Sequence, residues 1–229
     1  MKSKKGKNGI LAAILFIAFI AYTIIVMKVD VQPIGPLGSS VGLADFNAKV
    51  AAMAPPNEVW YEMTQLMGYL SILVCLLFAI VGAIQLFQTK SLKKVNKDVI
   101  CLGVLYAVCI AFYVLFTKVA INYRPILENG VLEASYPSSH TVLGICVFAS
   151  LAVEIKRNIH DARAIIFEYG CYGFICLMVA GRILSGWHWA SDIVGACILS
   201  AALVSGFKAI LPDTKCAKDL AAEYFGDKG

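Results

Sequence analysis

The chain has 229 residues, of which 59% are hydrophobic and 15% are charged, and its formal net charge is +5 at pH 7. Its mean hydropathy of +0.76 exceeds what a soluble domain of this length carries, which excludes that class and favours one integral membrane domain. The basic residues form no concentrated arm with interleaved aromatic residues, so we expect no nucleic-acid partner.

The N-terminal residues 1–8 are basic and precede an uninterrupted apolar run at 9–27. Such a start is also typical of a signal peptide. The run is long enough to cross a bilayer, however, and no small-x-small cleavage site follows it closely. We therefore predict a cytoplasmic N-terminus at 1–8, followed by a first membrane span that is not cleaved.

The segment 28–57 is polar and rich in proline and glycine. Within it, apolar residues recur at helical spacing, at Leu43, Phe46, Val50 and Met53. This pattern predicts a short helix that lies on the membrane surface.

Five further apolar runs are separated by polar or basic loops, at about 60–87, 99–117, 141–154, 164–184 and 193–211. The predicted fold is therefore all-α: a polytopic membrane protein with a six-transmembrane-helix bundle and a short interfacial helix in its first outer loop. We assign 9–211 to the membrane domain, with a motif-bearing core at about 99–211, and 212–229 to a cytoplasmic tail.

The chain contains eight cysteines, and seven of them lie within or beside apolar runs. None forms a Cys-x-x-Cys pair with the spacing of a metal site. We expect them to act as small apolar packing residues rather than as disulfides or ligands. They are Cys75, Cys101, Cys109, Cys146, Cys171, Cys176, Cys197 and Cys216.

The basic residues are distributed unevenly between the two sets of loops that six spans create. One set, which includes both termini, holds 15 of the 20 lysines and arginines. The positive-inside rule therefore predicts that both termini are cytoplasmic. The other set holds the remaining five: Lys28, Lys49, Lys118, Arg124 and Arg182.

Parity also brings polar residues to one face of the membrane. The third span ends, the fourth begins, the fifth ends and the sixth begins on the same side, whichever orientation is correct. Two of the chain's three histidines lie at these points, whereas His160 falls in a basic loop on the other side. Ionisable groups that converge at the ends of spans favour a functional site. The polar residues concerned are Lys118, Asn122, Arg124, Ser138, Ser139, His140, Arg182, His188 and Asp192.

The stretch 181–192, GRILSGWHWASD, has the richest chemistry. His188 lies four residues before Asp192, a spacing that places two side chains on one helical face. An aspartate that accepts a hydrogen bond from one ring nitrogen fixes the histidine tautomer and leaves the other nitrogen free to attack. Arg182 offers a planar fork of donors for phosphate oxygens. The alternative is an interfacial loop that anchors helices through its tryptophans and arginine.

Three ordered motifs carry a resemblance to a known family. Pro137-Ser138-Ser139-His140 is similar to Pro-Ser-Gly-His, with serine for glycine, and Gly181-Arg182 with His188 and Asp192 is similar to Ser-Arg-x5-His-x3-Asp, with glycine for serine. Arg124-Pro125, preceded by Lys118, is similar to Lys-x6-Arg-Pro. The chain therefore resembles the type 2 phosphatidic acid phosphatase superfamily of lipid phosphate phosphatases and vanadium haloperoxidases, as a bacterial-type six-span membrane member.

The resemblance implies a role for each motif residue. His188 would attack phosphorus and form a phosphohistidine while Asp192 holds its tautomer. His140 would protonate the leaving oxygen and then activate water. The remaining residues would bind the phosphate oxygens: Arg124, Arg182, Ser138, Ser139 and Lys118, with backbone amides at the start of the fourth helix. No metal and no cofactor is implied.

Lys118 is one residue closer to Arg124 than the family pattern expects. A shift of one residue rotates a side chain by about 100° on a helix. Two interpretations therefore remain open: a phosphate ligand whose long stem reaches the site, or a lysine that extends to the membrane interface.

The leading functional hypothesis is hydrolysis of a lipid monophosphate or diphosphate. Polyprenyl diphosphates such as undecaprenyl diphosphate, phosphatidic acid and phosphatidylglycerol phosphate all fit. A vanadium haloperoxidase is less consistent with six spans, and the non-enzyme alternative is a binding or transport protein for a phosphate lipid. Transport sites lie near the bilayer midplane, whereas this cluster lies at one surface. The expected partners are the lipid substrate and the bilayer, and the sequence leaves the oligomeric state open.

Overall fold

The computed structural model describes residues 4–213, and its regular elements over that range are helices, with isolated β-bridges but no strand. The seven α-helices are α1 (Lys4–Lys28), α2 (Ala44–Met53), α3 (Glu58–Thr89), α4 (Lys97–Lys118), α5 (Ser139–Asn158), α6 (Ala162–Leu184) and α7 (Ala190–Ile210). The all-α class predicted from composition is confirmed. Residues 1–3 and most of the predicted tail, 214–229, lie outside the described residues.

Six of these helices, all but α2, are long and apolar enough to cross a membrane. Several begin or end beyond the apolar runs that predicted them, because polar flanks continue the helix. The side chain of Asn57, for example, accepts a hydrogen bond from the Trp60 amide and so caps α3 before its apolar part begins. The apolar runs thus located the spans, and at α3, α4 and α6 a capping side chain marks where the helix begins.

Helix α7 lies at the centre of the bundle, with 50% of its most apolar window buried, against 6% for α3. It packs against α1 and α5, and α5 packs in turn against α6 and α3. The buried core includes Leu102, Cys146, Ala196 and Leu199. Large apolar side chains on the outward faces of α1 and α3 remain exposed, as expected of surfaces that meet lipid.

The short helix predicted in the first loop is present as α2. Its protein-facing side is formed by Ala44 and Asn47, which are buried, whereas Phe46 and Met53 are exposed. Two of the four residues of the expected apolar stripe therefore face away from the bundle, whereas Leu43 packs against its core. Asn47 is drawn inward because its side-chain amide bonds to the start of α7.

The seven cysteines among the described residues are free thiols. Three of them, Cys109, Cys146 and Cys171, are buried. Cys216 lies outside the described residues.

Candidate active site

The predicted polar residues other than Lys118 meet where the loop 119–138 lies beside the ends of α5, α6 and α7. Ser138, Arg182, His188 and Asp192 are buried there, and His140 is partly buried. Both arginines of the motifs, Arg124 and Arg182, act electrostatically on His188. The structure thus brings together the motif residues apart from Lys118.

Asp192 is held beside His188 at the start of α7. Its Oδ2 lies 3.6 Å from Nδ1 of His188, slightly beyond hydrogen-bonding distance, and accepts a hydrogen bond of 3.0 Å from the Trp189 amide. His188 precedes the helix, which begins at Ala190, so the pair does not share a helical face as the spacing suggested. The capping turn of α7 brings the two side chains together instead.

Two buried side chains, Asn122 and Asn47, fix the N-terminus of α7 from distant parts of the chain. Asn122 donates to Oδ1 of Asp192 over 3.1 Å and accepts a hydrogen bond of 3.1 Å from the Gly42 amide. Asn47 accepts from the Ser191 amide over 3.0 Å and donates to its hydroxyl over 2.9 Å. Asn122 therefore orients the carboxylate of Asp192, whereas Asn47 holds the first turn of α7 through Ser191.

Arg182 is fully buried near the end of α6. Its Nη1 donates to the Thr64 hydroxyl over 3.1 Å, and its guanidinium carbon lies 5.7 Å from the centre of the Tyr61 ring. Its Nε and Nη2 atoms have no hydrogen-bond acceptor within residues 4–213. A buried cation with free donors is costly unless an anion binds it, so this arrangement is suited to a phosphate group.

Arg124 lies on the loop between α4 and α5 and is held by carboxylates. Its Nη1 is 2.7 Å from Glu128 and its Nε is 3.3 Å from Glu133. The Tyr61 hydroxyl donates to the same Glu128 over 2.7 Å and the Tyr61 ring stacks on Trp187 at 4.4 Å. Tyr61, Glu128 and Glu133 were not among the residues predicted from the sequence. The i,i+4 spacing of Arg124 and Glu128 is the one sequence signal that points to any of them.

The N-terminus of α5 contributes the second motif. Ser138 precedes the helix, its amide donates to the Asp192 carbonyl over 3.2 Å, and its hydroxyl accepts from Thr141 over 3.0 Å. The first turn of α5 contains no acidic residue, so its free amides can attract an anion. The His140 ring packs against Gly68 of α3, where an added Cβ would lie 2.6 Å from its Cδ2. Ser139 is partly exposed at the start of the helix.

The electrostatic environment keeps His188 uncharged. Burial lowers the pKa of His188 well below its usual range, and the positive charges of Arg182 and Arg124 lower it further. A neutral imidazole retains the lone pair that a nucleophile requires.

Lys118 is the last residue of α4, which continues as regular helix to that point, and its side chain is exposed. No hydrogen bond or ion pair joins it to the buried residues of the site. Among residues 4–213, no group of three or more His, Cys, Asp or Glu side chains is arranged to hold a metal ion.

The region that contains these residues matches a known family. Residues 117–215 match the family model of the PAP2 superfamily, a range that includes all three motifs and helices α5 to α7. Over this range the chain is similar to that superfamily, and the resemblance predicted from the motifs is confirmed.

A solved structure with the same fold is described as the first transmembrane PAP2 type phosphatidylglycerolphosphate phosphatase from Bacillus subtilis. It has a TM-score of 0.58 and 16% sequence identity to this chain, and the alignment covers 87% of this chain and 94% of that one. Comparison with curated proteins finds no sequence match. The likeness shows that α1 to α7 adopt a transmembrane PAP2 fold, in a multi-pass membrane protein.

Proposed function

We propose that the protein is a membrane phosphatase that hydrolyses a lipid phosphomonoester or diphosphate through a phosphohistidine intermediate. The observation that carries this proposal is the fully buried Arg182, whose free Nε and Nη2 donors share the site with an uncharged His188. Phosphoryl transfer to a side chain needs at least a cation that binds the phosphate and a nucleophile beside it.

In the first step, Nε2 of His188 attacks phosphorus, and the bond from phosphorus to the leaving oxygen breaks. That oxygen is the lipid alcohol oxygen in a monoester and the bridging oxygen in a diphosphate. His140, which the negative charge of the bound phosphate favours in its protonated form, donates its proton to that leaving oxygen. Asp192 stabilises the positive charge that develops on the His188 ring, since its carboxylate lies 3.6 Å from Nδ1. In the second step, neutral His140 accepts a proton from water, which attacks phosphorus and releases phosphate and free His188.

The negative charge of the transition state spreads over the equatorial phosphate oxygens. Arg182 and Arg124 would bind these oxygens, and the amides at the start of α5, with Ser138 and Ser139, would add neutral donors. Lys118 would contribute less because its side chain is exposed at the end of α4. Since side chains supply the positive charge, we expect activity without a divalent ion.

The position of the site at the ends of membrane spans suits a substrate whose tail stays in the bilayer. The phosphatase of similar fold is described as acting on phosphatidylglycerolphosphate, which makes that lipid one candidate. Phosphatidic acid and a polyprenyl diphosphate such as undecaprenyl diphosphate are the others. From the positive-inside rule we expect the site on the extracytoplasmic face and both termini in the cytoplasm.

The proposal is tested by phosphate release from these three lipids, with the purified protein in detergent and His188→Ala as the blank. We expect release from at least one lipid by the wild type and none above background by the variant. Absence of hydrolysis across the panel would overturn the proposed function.

A further inference from the structure

Thr64 on α3 lies outside the segment that matches the family, yet it contacts the candidate site directly. It is fully buried, and its hydroxyl oxygen accepts the hydrogen bond of 3.1 Å from Nη1 of Arg182. The hydroxyl is itself anchored, because it lies 2.9 Å from the Tyr61 carbonyl and 3.0 Å from the Trp60 carbonyl, to which it donates. Its lone pair is thereby directed away from the α3 backbone and remains available to the guanidinium.

The contact depends on a glycine in the third motif. A Cβ added to Gly181 would lie 2.7 Å from Cγ2 of Thr64 and 3.3 Å from Cε3 of Trp60. A side chain at this position would therefore push α3 and α6 apart. The family pattern has serine here, whereas in this chain the hydroxyl that bonds to Arg182 comes from Thr64 on α3.

The bond to Thr64 leaves a specific edge of the guanidinium free. Arginine binds an oxyanion with two parallel hydrogen bonds along one edge, and Nε and Nη2 form such an edge. In Arg182 these are the two atoms without an acceptor in the described part of the chain. Thr64 holds the opposite nitrogen, Nη1, with a neutral acceptor, so the guanidinium is oriented without losing its charge to a carboxylate. Arg124, by contrast, is paired with Glu128 and Glu133.

We propose that Thr64 is a positioning residue that presents the Nε and Nη2 edge of Arg182 to the substrate phosphate, and that Gly181 is the glycine that admits it. This inference rests on the proposed function for its substrate. It assigns a role in the site to α3, which lies before the family segment.

The test compares Thr64→Val, which keeps the shape but removes the hydroxyl, with Thr64→Ser, which keeps the hydroxyl. Loss of a hydrogen bond to a charged group should lower kcat/KM for the lipid phosphate by about 10-fold or more in the valine variant. The serine variant should stay within about 3-fold of the wild type, since it retains the acceptor.

Ser71→Ala is the matched control. Ser71 is also fully buried on α3, and its hydroxyl donates to the Met67 carbonyl over 2.9 Å, without contact to Arg182. Ser71→Ala should lower thermal stability about as much as Thr64→Val does, while its kcat/KM stays near the wild-type value. Wild-type kcat/KM in Thr64→Val, or an equal loss in Ser71→Ala, would overturn the inference.

A double-mutant cycle separates positioning from general damage. If Thr64 acts through Arg182, Thr64→Val should cost little further activity in an Arg182→Lys background. Lysine has no guanidinium edge for Thr64 to position. Multiplicative losses would show that the two residues act independently and would refute the role.

Binding of inorganic vanadate, measured as the rise in thermal stability of the protein, tests the inference without turnover. Thr64→Val should reduce this stabilisation, whereas Ser71→Ala should not. If the wild type binds vanadate in this way but hydrolyses no lipid phosphate, the proposed function fails and the role of Thr64 stands. Equal stabilisation of the wild type and Thr64→Val would overturn that role.

Discussion

Asn122 and Asp192 are 70 positions apart in the chain, and a hydrogen bond of 3.1 Å joins the amide nitrogen of the first to the carboxylate of the second. The amide oxygen of Asn122 accepts the Gly42 amide at the same time, which determines which end of the side chain faces Asp192. The other carboxylate oxygen, Oδ2, lies 3.6 Å from Nδ1 of His188. Gly42, in the loop between α1 and α2, thus helps through Asn122 to orient Asp192, the partner of the proposed nucleophile His188.

We expect Asn122→Ala to lower kcat by about 10-fold or more, because Asp192 loses a donor that fixes its rotamer. Asn47→Ala is the matched control, since Asn47 is equally buried but bonds to Ser191 and Gly42 rather than to Asp192. Both variants should lose thermal stability, and only the first should lose kcat disproportionately. Equal kcat in the two variants would contradict an orienting role for Asn122.

The two histidines should respond differently to removal. His188→Ala should abolish turnover, because no other group in the site is placed to replace the nucleophile. His140→Ala should be severely impaired but should retain slow phosphorylation when the leaving group is good, since such a group needs little protonation. Phosphate release and trapped phosphoenzyme are the measurements. Near-normal release by His188→Ala would refute the mechanism.

Lys118→Ala should reduce kcat/KM less than Arg124→Ala or Arg182→Ala does. A hydrogen bond from a charged donor contributes about 1.5–3 kcal/mol, which Arg182 supplies from a fully buried position and Lys118 does not. We expect losses of roughly 10-fold or more for either arginine and at most about 3-fold for the lysine. Losses of the same size in all three variants would mean that Lys118 reaches the phosphate when substrate binds.

Activity should persist in EDTA and should be inhibited by vanadate. The site has guanidinium groups in place of a carboxylate cage, and vanadate adopts the five-coordinate geometry of phosphoryl transfer. Phosphate release with and without chelator, followed by a vanadate titration, checks both statements. Loss of activity in EDTA that magnesium restores would contradict the metal-independent mechanism.

The site should open to the outside of the cell. The loops on its side of the membrane hold five of the 20 basic residues, and three of those five, Lys118, Arg124 and Arg182, belong to the motifs. Single cysteines at Asn129 and Lys94, both exposed, are introduced into a cysteine-free background and treated in intact cells with an impermeant maleimide. We expect labelling at Asn129 only.

Labelling at Lys94 but not at Asn129 would invert the topology. It would also remove the case for a substrate in the outer leaflet, such as a lipid carrier recycled after its cargo has been transferred.

The motif residues could be predicted from the sequence because their spacing is short and their chemistry is distinctive. His140, His188 and Arg182 are examples, and the structure buries or half-buries each of them together. The residues that support them could not be predicted in the same way. Thr64, Tyr61 and Asn47 lie far from the motifs in the chain, and nothing in their own neighbourhood indicates a partner.

The sequence by itself determined the six spans and the fact that four of their ends meet on one side of the membrane. Both follow from the length and the number of the apolar runs, which can be counted along the chain. Only the tertiary structure decided which polar atoms pair. The bond from Arg182 to Thr64 joins residues 118 positions apart and requires α3 and α6 to approach at Gly181. The exposed position of Lys118 likewise follows from where α4 ends relative to the bundle. Such contacts depend on how whole helices pack, so hydrophobic patterning within any one segment does not contain them.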